Sequence, residues 1–135
     1  MSLVEQVIKN GVSAKTNFND AEGQQQVIEQ LWGEWFSKGN PSANVYCLYH
    51  EYGQDGSYSV TIGVADEDTP QIPEGKFETF RAVVKEGDMQ ALTDAVCEYW
   101  ETINSAGLER AFTCDVERYT RTEDEIEVTI FTALK

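Results

Sequence analysis

Two short stretches of this chain carry residue types suited to chemistry. In Tyr49-His50-Glu51 a tyrosine and a glutamate stand two apart, and in Glu117-Arg118-Tyr119 the same types recur in reverse order. Residues two apart on a strand share a face, so each stretch presents a carboxylate beside a phenol. Such a group can hold an organic cation, the carboxylate supplying charge and each aromatic face contributing roughly 0.5–2 kcal/mol. It can also orient water or polarise a leaving group, which is the chemistry of a hydrolase. His50, Cys47 and Cys114 have no companions at metal-ligand or nucleophile–base spacing. They read as structural, and no metal, cofactor or catalytic set is expected.

A repeat links the two stretches. Asp20 can cap a helix whose apolar residues Val27, Ile28, Leu31, Trp32, Trp35 and Phe36 recur at helical spacing, with Gly39 ending it. Asp88 opens a second such segment, carrying Met89, Leu92, Val96, Tyr99, Trp100 and Ile103, with Gly107 ending it. The caps (20 and 88), the terminating glycines (39 and 107) and two tryptophans (32 and 100) are each 68 residues apart. Each copy reads as strand, helix, strand, strand, at about 6–18, 20–38, 44–53 and 57–65, then about 77–85, 88–105, 111–120 and 125–134. The repeat units, about 6–65 and 77–134, are joined by the acidic, proline-containing run DEDTPQIPEGK, which suits neither helix nor strand. The fold class expected is α+β within one domain, 1–135: a tandem repeat forming one antiparallel sheet with two helices and pseudo-twofold symmetry.

The same interval maps Tyr49 onto Glu117 and Glu51 onto Tyr119, so all four are expected to line one cleft near the axis. Tyr46, Leu48, His50, Cys114, Val116 and Arg118 fall on the opposite face by alternation. Trp32 and Trp100 hold equivalent helical positions and flank the same axis. Phe131 is the repeat mate of Gly63, and a missing side chain on one strand opens room that an aromatic on the other can wall.

Composition narrows the function. Asp and Glu outnumber Lys and Arg 24 to 10, giving a net charge of −14. That field repels phosphate backbones and attracts cations, so no direct nucleic-acid contact is expected. Three cysteines without a CxxC pair suit reduced thiols in a cytoplasm. No apolar run reaches the roughly 18 residues of a membrane span.

The run LERAFTCDVERY, residues 108–119, following a helix that holds Trp100, resembles the closing motif of GyrI-like domains, the effector-binding module of AraC-type regulators. Residues 49–63, YHEYGQDGSYSVTIG, are more similar still to stand-alone effector-binding proteins encoded on integron gene cassettes. The resemblance implies the duplicated fold and a pocket between its halves for lipophilic, often cationic, small molecules. It makes Glu117 the motif glutamate and Tyr119 the motif tyrosine. It implies a sensor or sequestering protein for a small amphipathic organic cation, with any transcriptional effect needing a separate regulatory protein partner. Some GyrI-like proteins are hydrolases, so a hydrolase using the Glu-Tyr pair is the alternative. An acidic face that mimics DNA toward another protein is a third reading.

Overall fold

A computed structural model describes residues 3–17, 19–37, 44–64, 76–85, 88–121 and 124–135. In order along the chain come α1 (Leu3–Asn10), β1 (Val12–Asn17), α2 (Ala21–Ser37), β2 (Asn44–His50), β3 (Ser57–Gly63), β4 (Lys76–Lys85), α3 (Met89–Ser105), β5 (Cys114–Arg121) and β6 (Glu125–Leu134). The strands form one antiparallel sheet in the order β1-β3-β2-β5-β6-β4. This order is a palindrome of the repeat, since β2 and β5, β3 and β6, and β1 and β4 are mates. The axis can be placed to the residue: Leu48 pairs with Val116, its own mate in the repeat.

The helix caps act as their residue types require. Asp20 Oδ1 accepts from the Gly23 N–H at 2.9 Å, and Asp88 Oδ1 from the Ala91 N–H at 3.3 Å, each relieving an orphan donor of a first turn. Gly107 ends α3 in the left-handed region (φ 71°), where a Cβ would clash with its own backbone. Gly39 and the linker up to Gly75 lie outside the described residues.

α2 and α3 cover one face of the sheet, each over its own half. Leu31 and Trp35 pack on Cys47, Val60 and Ile62. Leu92, Tyr99 and Ile103 pack on Ile126, Val128 and Ile130. Between the two helices runs the β2–β5 seam, where Tyr119 packs against both clusters.

Two departures from the sequence reading shape the molecule. The stretch 6–10 is helix, not strand: α1 lies on the opposite face, where Leu3 and Val7 cover Tyr46, Leu48 and Val116. Its β-branched residues suit a strand, but Leu3 and Val7 lie one helical turn apart and bury together, and that contact decides the conformation. Close approach of α1 also explains Gly63, because a Cβ there would meet Val7 O at 2.6 Å and Gly11 Cα at 2.8 Å. The second departure is at the strand ends. β2 stops at His50 because Glu51 turns into the left-handed region (φ 54°), and β5 starts only at Cys114 because Phe112 does the same (φ 53°). Among the described residues no helix is long and apolar enough to cross a membrane.

Candidate functional site

At the centre of the seam, on the helix-covered face, sits Glu117, only 1% exposed. Strand alternation turns it inward from β5, and the pairing of Cys47 with Glu117 sets it directly across from β2. Tyr49 Oη donates to Glu117 Oε2 at 2.8 Å, Trp100 Nε1 to the same oxygen at 2.8 Å, and Tyr119 Oη to Oε1 at 2.5 Å. Tyr49 is the repeat mate of Glu117, so this bond runs across the pseudo-axis. The two tryptophans reach across it as well. Trp32 from the first half meets the Tyr119 ring edge-on at 5.2 Å, and Trp100 from the second meets Tyr49 at 5.7 Å.

Burial pushes the Glu117 carboxyl above its ordinary value, against the three hydrogen bonds, which favour the ionised form. The same burial drives the Tyr49 and Tyr119 hydroxyls well above the ordinary phenol range, reinforced by nearby anionic groups. They are donors at neutral pH and poor bases. A buried carboxylate costs several kcal/mol unless its charge is offset, and here every hydrogen-bond donor to it is neutral. No Lys or Arg pairs with it among the described residues.

Over residues 10–134 the sequence matches the Cass2 family, described as integron-associated effector binding protein. The chain belongs to this family. An integron cassette protein from the mobile metagenome of Vibrio cholerae, known from its crystal structure, shares the fold with a TM-score of 0.60. The likeness covers 91% of this chain and 88% of that one at 22% sequence identity, and at that identity it speaks for the fold alone. No curated protein sequence matches. The match begins at Asn10, so the body of α1 precedes it.

Of the seven residues singled out from the sequence, five meet: Glu117, Tyr119, Tyr49, Trp100 and Trp32. Glu51 does not join them. Its left-handed backbone breaks the alternation that would have kept it beside Tyr49, and its side chain is 68% exposed, accepting from Ser59 Oγ at 3.0 Å. Phe131 is on the other face, packed with the α1 cluster and edge-on to Phe77. The space that Gly63 leaves is filled by the α1–β1 turn, so Phe131 walls no cleft there.

A second buried cluster was not foreseen. Asp115, two residues before Glu117 and on the same face, is 0% exposed. Its carboxylate accepts from Arg110 Nη2 and the Ala133 N–H, at 2.7 and 2.8 Å, and from the Tyr52 hydroxyl. Asp115 was readable in principle from the i, i+2 rule. Arg110 and Tyr52 come from irregular segments, for which strand periodicity carries no signal.

Proposed function

We propose that this protein binds lipophilic organic cations at Glu117, with Tyr49, Tyr119, Trp32 and Trp100 as its aromatic walls. One observation carries the reading: a buried carboxylate held only by neutral donors, at an aromatic seam between two helices. A flat cation supplies the missing counter-charge and stacks on the rings, so the cost of burying the carboxylate becomes binding energy. Membership of an effector-binding family supports a small-molecule ligand. The net charge of −14 supports attraction of cations to the protein. Because the rings close over Glu117, a ligand enters by displacing at least one of them. Free Cys47, Cys97 and Cys114 suit a reducing cytoplasm. Hydrolysis asks for a base near neutral pH: Glu117 is shifted in that direction, but both its oxygens already accept from Tyr49, Tyr119 and Trp100, and the two tyrosines are shifted the other way.

The test is a thermal-shift series with planar cations, anions of similar size and neutral isosteres. A ligand that binds only the native state raises the melting temperature by mass action. Stabilisation by the cations alone is the expected result. Equal stabilisation by the anions overturns it.

A further inference from the structure

Beside the Glu117 cluster lies a donor without an acceptor. Arg110 is 8% exposed, and its guanidinium gives one nitrogen to Asn104 Oδ1 at 2.8 Å and another to Asp115. Nε has no partner among the described residues. A buried N–H left unpaired is costly, and in native proteins it is rare enough to call for a cause. Trp100 joins this donor to Glu117: its indole N–H is bonded to the carboxylate while Arg110 Cζ lies 5.4 Å from its ring centroid. The two polar groups therefore flank one aromatic wall.

What covers the guanidinium is itself partly open to solvent. Phe112 lies over it, with Arg110 Cζ 4.6 Å from the ring centroid, yet the phenylalanine is 46% exposed. Its backbone is also held at φ 53°, a conformation that non-glycine residues adopt at a cost. Displacing this ring exposes the guanidinium.

We propose that Arg110 is a second determinant of ligand choice, its Nε–H taking a neutral acceptor oxygen carried on the same planar scaffold as the cationic centre. The proposal rests on the cation reading of Glu117 and narrows it. The acceptor is neutral because the guanidinium charge is already matched by Asp115, whose buried carboxylate would repel an anionic group. Ketone and amide carbonyls are the best fit, since their lone pairs accept a single N–H in plane.

The experiment titrates the wild-type protein calorimetrically with N-methylquinolinium, its ring-acetyl regioisomers and the matching ring-ethyl isomers, which share bulk but lack the oxygen. At least one acetyl isomer should bind about ten- to a hundredfold more tightly than its ethyl counterpart, the worth of one hydrogen bond to a charged donor. Arg110→Lys, which keeps the charge beside Asp115, should abolish that advantage, so that the acetyl and ethyl isomers bind this variant alike. Should Arg110→Lys not fold, nitrogen-15 labelling of the wild-type arginines supplies a second readout: one Nε–H resonance should move with the acetyl isomer and not with the ethyl isomer. Binding of N-methylquinolinium with no acetyl advantage, or an advantage that survives Arg110→Lys, overturns this inference alone. Failure of every cation to bind the wild type overturns the cation reading and this inference with it.

Discussion

Asp115 and Glu117 stand two residues apart on β5, face the same way, and are equally hidden from water, yet they are compensated differently. Asp115 has a permanent cation, Arg110, together with a backbone N–H and a tyrosine hydroxyl. Glu117 has two tyrosines and a tryptophan, none of them charged. Burial alone therefore does not mark a binding carboxylate. What distinguishes the two is whether the chain itself supplies the counter-charge: it does at Asp115, and at Glu117, our proposed cation site, the donors are all neutral.

The sharpest way to break this comparison is to remove both charges in turn. Asp115→Asn strands Arg110 as an unpaired buried cation and should cost about 3–5 kcal/mol of stability, read from urea unfolding. Glu117→Gln strands no cation, and its effect should appear in ligand binding: affinity for a planar cation should fall by about 1–3 kcal/mol in calorimetry, while a neutral isostere is scarcely affected. If the two variants destabilise the fold alike, the contrast fails. Tyr119→Ala should weaken cation and neutral analogue together by roughly 0.5–1.5 kcal/mol, because both lose stacking area.

Dependence on pH tests the Glu117 assignment further. Burial raises the Glu117 value in the folded protein above the 4.5 of a free carboxyl, so the native state keeps this proton to higher pH than the unfolded chain does. The stability contributed by the protonated group is complete below the unfolded value and is lost as pH rises through the folded one. Wild type should therefore lose stability relative to Glu117→Gln as pH climbs above 4.5, while its affinity for cations increases over the same window. A flat difference between the two proteins across that range would contradict the assignment. The smallest effect is expected at Glu51, where an exposed carboxylate changed to Gln should shift stability by less than about 0.5 kcal/mol and leave cation affinity intact.

The duplicated plan was legible because it rests on local signals that recur: an aspartate cap, helical apolar spacing and a tryptophan, each returning after a fixed interval. From it came one antiparallel sheet with pseudo-twofold symmetry and the meeting of Tyr49 with Glu117, while the strand order and the axis at Leu48 and Val116 are read from the structure. α1 was missed since its few apolar residues suit either helix or strand, and only the uncovered face of the sheet chooses between them.

Five of the seven candidates named from the sequence meet in the structure: one glutamate, two tyrosines and two tryptophans, placed by periodicities that hold wherever the backbone stays regular. Tertiary structure decided which candidates remained. Left-handed residues at Glu51 and Phe112 end the regular alternation, sending the first glutamate to solvent and laying a ring across Arg110. Close packing of α1 on Gly63 took the space that Phe131 would have needed. The counter-charge that separates Asp115 from Glu117 is likewise a tertiary fact, because Arg110 reaches its partner from an irregular segment where no period applies. Periodicity is a property of the regular backbone, whereas charge compensation depends on distances that only the folded chain sets.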